Sequence, residues 1–314
     1  MKRKYKIGII GFGSIGTRHL KNIVTVLKKR NILYTIDLIR SGKGKEITED
    51  VKQYVSQIFY SVDSSQNDYD IIFVANPTNL HFETIRQFVS KTKHMFIEKP
   101  VFDKMYSLDA VNLIPNNIYY VACPLRYTNV IQYIKEQIDP KEVYCARVIC
   151  SSFLPEWRPG QDYRCSYSAH KKQGGGVSID LIHEWDYLCY LFGVPDEILN
   201  IRGTFSNLEI DSDDLSLYIA KYPDKAVEVH LDYFGRKTIR EIQLFTSRDT
   251  IIGDIANSEI KYLKSGKSIS FHQQRNDFQC REIEHFFDIL EGKKINDNDI
   301  ISAIRTLQMA IEGK

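Results

Sequence analysis

Ile7-Gly8-Ile9-Ile10-Gly11-Phe12-Gly13-Ser14-Ile15-Gly16 is the stretch that decides the fold. Residues 5–10 form a continuous apolar run, the pattern of a strand buried on both faces, and residues 15–27 follow with helical spacing. Between them the glycines have separate jobs. Gly11 permits a tight turn, Gly13 lets the backbone approach a pyrophosphate, and Gly16 lets helix and strand pack closely. The amides of Ser14 and Ile15, at the start of the helix, would face phosphate. An ordinary glycine turn is the alternative, and the strand before and helix after it favour a dinucleotide site.

Outward from that turn, strand signals recur at 34–39, 70–75, 94–97 and 118–122, with a short one at 58–60 and helical stretches between them. This is the alternation a Rossmann-type, doubly wound parallel sheet requires. Glu98-Lys99-Pro100 closes the strand at 94–97. The fixed φ of Pro100 holds Lys99 at the carboxyl end of a strand in the same sheet, the rim where ligands sit in open α/β folds. Glycine turn and lysine together read as a nicotinamide-dependent enzyme. The loop Ala75-Asn76-Pro77-Thr78-Asn79 ends another strand at that rim. Pro77 breaks the strand, Thr78 or Asn79 is expected to cap the next helix, and Asn76, Pro77, Thr78 and His81 are candidate cofactor contacts, with a plain strand-to-helix turn as the alternative.

Cofactor choice is read at the end of the second strand. An NAD enzyme usually places an acid there, whereas this chain has Arg40-Ser41-Gly42-Lys43, with the nearest acid, Asp37, inside the strand. Arg40 can grip a 2′-phosphate with two parallel hydrogen bonds and Ser41 can add a third, which predicts NADP in preference to NAD. A solvated strand-end Arg40 is the alternative.

The 314 residues suffice for two domains, placed at 1–124 and 125–314, with the closing helices packing back on the first. A net charge of +2, from 42 basic and 40 acidic side chains, leaves no basic stripe for nucleic acid. No apolar run reaches the ~20 residues that span a bilayer, and residues 7–10 are too short a run for a signal peptide. Six scattered cysteines without a C-x-x-C pair point to reduced thiols in a cytoplasmic protein and to no metal site.

The glycine turn, Asn76-Pro77-Thr78 with His81, Glu98-Lys99-Pro100 and the run Gly174-Gly175-Gly176-Val177-Ser178-Ile179-Asp180-Leu181-Ile182-His183-Glu184-Trp185-Asp186 together resemble the glucose-fructose oxidoreductase / inositol dehydrogenase / rhizopine-catabolism family. The resemblance runs nearly end to end. It implies a Rossmann domain, then a mostly antiparallel, open-faced α+β domain that binds a sugar or cyclitol, and homodimers or homotetramers formed through that sheet. It also implies that Glu98 and Lys99 belong to the cofactor site and that Lys99, Asp180 and His183 are catalytic. The family usually spaces its Asp and His four residues apart. Here they are three apart and Glu184 stands at the usual distance. His183 is preferred to Glu184 because a histidine exchanges protons near neutral pH.

The second half reads as a helix at 129–137, a strand at 143–153, an irregular stretch at 154–176, a helix at 179–192 and strands at 198–205, 215–222, 226–234, 239–246 and 250–255. In the irregular stretch Trp157 and Tyr163 offer flat faces to a sugar ring, and Arg158, Asp162 and Arg164 offer charge-assisted hydrogen bonds; a loop pinned by one buried aromatic is the alternative. This stretch resembles a family branch associated with bacterial surface polysaccharides and amino sugars. The glycines before Asp180 are expected to leave room for a ligand. Arg126 is a candidate substrate contact, or else a domain-hinge ion pair. Reversible hydride transfer to or from a secondary hydroxyl follows, with His183 as acid/base and Lys99 stabilising the oxygen; Lys99 as the base is the alternative. An NAD-dependent glycosidase or a non-catalytic sugar-sensing regulator are the other functional classes open to such a fold.

Overall fold

A computed structural model describes residues 4–42 and 46–313, which include Arg40 and Ser41 of the expected phosphate grip but not Lys43 beside it. The chain divides into two compact units, 1–122 with 279–304, and 123–278 with 305–314.

The first unit begins β1 (Lys4–Ile10), α1 (Ser14–Lys29), β2 (Leu33–Ile39), α2 (Glu49–Lys52), β3 (Gln57–Phe59), β4 (Tyr69–Val74), α3 (His81–Phe88), β5 (Thr92–Ile97) and β6 (Ile118–Val121). The six strands form one sheet in the order β3-β2-β1-β4-β5-β6, every pair parallel. The order reverses between β1 and β4, and the glycine turn leaves β1 at that switch point. The continuous apolar runs are explained by burial on both faces: Ile7, Ile9, Ile71, Phe73 and Phe96 are all at 0% exposure. The expected helix between β5 and β6 is reduced to a single 3₁₀ turn, Leu108–Ala110.

The second unit holds α4 (Asn129–Gln137), β7 (Val143–Phe153), α5 (Val177–Asp180), α6 (His183–Phe192), β8 (Glu197–Gly203), β9 (Leu215–Lys221), β10 (Ala226–Asp232), β11 (Phe234–Thr246), β12 (Thr250–Asp254), β13 (Glu259–Tyr262) and β14 (Ser268–Ser270). Its sheet runs β14-β13-β12-β11-β7-β10-β9-β8 and is antiparallel except where β10 meets β7. The fold class is thus the expected one, a parallel Rossmann sheet and a mostly antiparallel second sheet. β13 and β14 were not foreseen; both are short, β14 lies at the sheet's edge, and in β13 only Ile260 is buried. One face of the second sheet buries Val148, Tyr218, Val229 and Leu244, while the other leaves Leu199, Ile201 and Ile219 exposed.

α7 (Asp277–Leu290) and α8 (Ile300–Glu312) close the chain. Phe286 of α7 packs on Phe96 and Phe73, with ring centroids at 5.3 and 5.9 Å. No helix among the described residues is long and apolar enough to cross a membrane.

Candidate active site

Space around the glycines decides whether a pyrophosphate fits. A Cβ on Gly11, whose φ is +85°, would lie 2.5 Å from the Asn76 backbone, so the turn abuts the Asn76 loop. A Cβ on Gly16 would lie 2.2 Å from the Gly11 carbonyl oxygen. Gly13 alone of the three has nothing within 4 Å. Gly13 is also the N-cap of α1, no side chain caps that helix, and its first turn carries no acid. Open space in front of uncapped amides at the positive end of a helix is what a dinucleotide pyrophosphate needs, and these residues fit it.

Beside the turn, polar groups are held by one another. Glu98, one residue beyond β5, lies 2.5 Å from the Nε2 of His19 on α1. Its other oxygen accepts the backbone N–H of Lys99 at 3.1 Å. Burial would raise the carboxyl's pKa, but the His19 hydrogen bond and the nearby His19 and Lys99 charges outweigh it and hold the group below the ordinary carboxylate value. Lys99 is therefore fixed at its backbone by a half-buried carboxylate held by His19 of α1. Sequence reasoning missed His19. The available signal was a histidine on the helical face of Ile23 and Val26, both buried.

His81 corrects its own expectation. At 1% exposure the ring is not open to a ligand. Nδ1 faces the carbonyls of Pro100 and Val101 at 3.1 and 3.2 Å, and Nε2 faces that of Asn76 at 3.0 Å. The ring thus ties the Asn76 loop to the segment after Lys99, and burial pushes its pKa below the ordinary imidazole value. Asn76 donates to the Thr84 hydroxyl at 2.8 Å. The expected cap from Thr78 or Asn79 is absent: a 3₁₀ turn, Thr78–Leu80, precedes α3, and no side chain caps either. Pro77 supplies the carbonyl that accepts the Leu80 N–H.

At the end of β2, Arg40 is half-buried and Ser41 exposed. Asp37 is 4% exposed, receives the Tyr69 hydroxyl at 3.2 Å, and has its pKa raised by burial. No ribose can reach it.

In the second unit the expected single helix at 179–192 is two. Between α5 and α6 the Ile182 and Glu184 amides bond the carbonyls of Ile179 and Leu181, each at 3.3 Å. These are i→i+3 bonds, which tighten the backbone between Asp180 and His183 relative to an α-helix. Glu184 is at 0% exposure and paired with Arg240 of β11 at 2.7 Å, whereas His183 is half-buried. The carboxylate at the usual distance is committed to anchoring α6.

Asp180, 6% exposed, accepts the Tyr233 hydroxyl at 2.5 Å and a second phenol hydroxyl from Tyr167. Burial, then the Asp180 charge, raises both phenols, so they remain donors. The glycine run before Asp180 makes room for protein rather than ligand. A Cβ on Gly175 would lie 2.1 Å from the Tyr167 carbonyl oxygen, and one on Gly176 2.4 Å from Asp213.

Arg126 is likewise corrected. It is 4% exposed and grips Asp186 with two bonds of 2.9 and 2.8 Å, its guanidinium over the Tyr190 ring. The ion pair lies within the second unit and leaves no guanidinium face for substrate.

The stretch 154–176 folds as short 3₁₀ turns around Asp180's two tyrosines. Trp157 stands edge-on to Tyr233 at 5.1 Å and donates to the Ser152 hydroxyl at 2.9 Å. The Tyr163 hydroxyl accepts the Glu209 N–H at 3.1 Å. Asp162 and Arg164, expected to face a ligand, bind each other at 2.8 Å, and Arg164 also binds Glu209 at 3.2 Å. Arg158 lies over the Tyr167 ring at 5.5 Å.

Comparison with known proteins gives a consistent picture. A family model described as an oxidoreductase family with an NAD-binding Rossmann fold matches residues 5–112. The chain is 25% identical to myo-inositol 2-dehydrogenase of Thermotoga maritima over 63% of its own length and 58% of that protein's. The match therefore spans less than two thirds of that relative. It is 22% identical to the NAD(+)-dependent scyllo-inositol 2-dehydrogenase of Bacillus subtilis, over 99% of this chain and 93% of the other. Among solved structures it superposes on apo levoglucosan dehydrogenase with a TM-score of 0.83 at 16% identity, over 99% of this chain and 96% of the other, which shows a shared fold.

Proposed function

We propose that the chain belongs to the glucose-fructose oxidoreductase / inositol dehydrogenase / rhizopine-catabolism family and moves a hydride between a nicotinamide cofactor and a secondary hydroxyl or ketone of a sugar, amino sugar or cyclitol. One observation carries the reading. The first unit combines an open cradle at Gly13 with a lysine, on the rim of the same sheet, whose backbone N–H is held by Glu98.

A bound nicotinamide supplies hydride acceptance or donation. The amides of Ser14, Ile15 and Gly16 hold the pyrophosphate, Arg40 and Ser41 the adenosine ribose with its 2′-phosphate, and Asn76, Pro77 and Thr78 wall the rim. The His183 ring takes the substrate hydroxyl proton in the oxidative direction and returns it in the reverse. Lys99 Nζ hydrogen-bonds the same oxygen and stabilises its developing negative charge. Asp180, whose carboxylate accepts the Tyr233 hydroxyl, is the third residue of the proposed catalytic set. NADP is preferred to NAD on the strength of Arg40 and the buried Asp37. The exposed apolar face of the second sheet, with Leu199, Ile201 and Ile219, is the surface for a homodimer or homotetramer, and the protein works in the cytoplasm.

The test follows absorbance at 340 nm while a panel of sugars, sugar acids and inositols is offered with NADP or NAD, with Arg40→Asp alongside. Turnover with NADP that shifts toward NAD in the variant supports the reading. Equal use of NAD by both proteins would overturn the Arg40 assignment, and no turnover with any substrate would overturn the enzyme.

A further inference from the structure

Two arginines in the 154–168 loop have opposite fates. Arg164 is neutralised by Asp162 and Glu209. Arg158 is exposed and has no acidic partner among the described residues. Its neighbour Glu156 sits in a 3₁₀ turn, Leu154–Glu156, and pairs with neither arginine. We propose that the substrate of the reaction assigned above carries an oxyanion, a carboxylate or a phosphate group, and that Arg158 selects it. The inference rests on that reading and deepens it.

Place is the first argument. The Arg158 guanidinium lies over the ring of Tyr167, and the hydroxyl of that same ring bonds Asp180. The cation is therefore one phenol ring away from the carboxylate assigned to catalysis. Arg158 also lines a small concavity with Leu154, Trp157, Tyr163 and Ser168, whose one acidic lining residue, Asp162, is already bonded to Arg164. Apolar walls with a few placed polar groups are how a small-molecule site fixes orientation.

Geometry is the second. A guanidinium held over a ring face by a cation–π contact has N–H donors left for a ligand, and those donors match an oxyanion bidentately. The aromatic contact holds the plane before a ligand arrives, which lowers the cost of ordering a long side chain. The same device recurs close by. Arg236 stacks on Phe153 at 3.9 Å and also has no acidic partner among the described residues. Phe153 adjoins Leu154 in the chain, and Leu154 bonds the Tyr233 carbonyl at 2.8 Å. Arg158 and Arg236 are thus two arginines held over aromatic rings, Tyr167 and Phe153, without an acidic partner among the described residues.

The experiment is calorimetric titration of the protein saturated with NADPH or NADH, whichever binds tighter, with glucose, glucuronate and glucose 1-phosphate. Arg158→Gln is compared with Arg248→Gln, which makes the same charge change at an exposed arginine paired with Glu142. We expect at least one anionic probe to bind about tenfold or more tighter than glucose, the preference to vanish in Arg158→Gln, and to persist in Arg248→Gln. Preference for glucuronate assigns a carboxylate; preference for glucose 1-phosphate assigns a phosphate. The inference is overturned if glucose binds as tightly as both anions, if neither anion binds, or if Arg158→Gln keeps the preference. Nicotinamide binding without anion preference would overturn this inference alone, whereas no nicotinamide binding would overturn the oxidoreductase reading and this inference with it.

Discussion

The rim of the first unit and the 154–176 loop of the second use the same residue types to opposite ends. At the rim, His19 and His81 are buried and Glu98 half-buried, and each faces a neighbour: Glu98 accepts the Lys99 amide, and the His81 ring lies among three backbone carbonyls. In the loop, Asp162, Arg164 and Glu209 pair in water, and one arginine is left without a counter-charge. Removing one partner of a buried pair strands the other in a low-dielectric place, while removing one partner of an exposed pair hands the other to water. The lesson is that the cofactor half is fixed before any ligand arrives, and the loop keeps its cation for the ligand.

The largest effect that would sharpen this contrast is chemical. Lys99→Met should lower turnover by about two to four orders of magnitude while leaving nicotinamide affinity intact, read by steady-state kinetics and fluorescence titration. Unchanged turnover would remove Lys99 from the mechanism. Next comes Glu184→Ala, which leaves Arg240 unpaired beneath α6 and should cost about 3–5 kcal/mol in urea unfolding. A loss under 1 kcal/mol would show that burial does not separate the two kinds of pair.

Glu98→Gln should act through pH. A carboxyl held below its ordinary pKa contributes stability that is fully present above that ordinary value and is lost as pH falls through the depressed one. The difference in Tm between wild type and Glu98→Gln should therefore be greatest near neutral pH and shrink below about pH 4. A difference that grows on acidification would contradict the direction assigned to Glu98. The smallest effect belongs to Asp162→Ala, which should leave Tm unchanged within measurement error, because Arg164 keeps Glu209 and solvent.

Much of the first unit was legible because its signals are local. Apolar runs, glycine spacing and Pro100 report on their own neighbours, and the parallel sheet follows from them. The site half built on contacts distant in sequence was not. His19 and Glu98 are 79 positions apart, so nothing near Glu98 announces its partner. The irregular stretch is shaped by distant bonds too, such as Ala169 accepting the Asp211 amide at 3.0 Å. Arg126 illustrates the remaining failure: an arginine after a strand looks the same in sequence whether it faces a cleft or, as here, Asp186. Glu184 shows the reverse, since position alone favoured it and only its pairing with Arg240 removes it from contention.

The central claim is that Gly13 leaves space for a nicotinamide dinucleotide, and one titration tests it. Wild type and Gly13→Val would be titrated with NADPH and NADH by nicotinamide fluorescence, after circular dichroism confirms that both fold alike. Because nothing lies within 4 Å of a Cβ at that position, the side chain should disturb only the ligand. Saturable binding by wild type and its loss in Gly13→Val is the expected result. Equal affinity in the two proteins, or no binding by wild type, would contradict it.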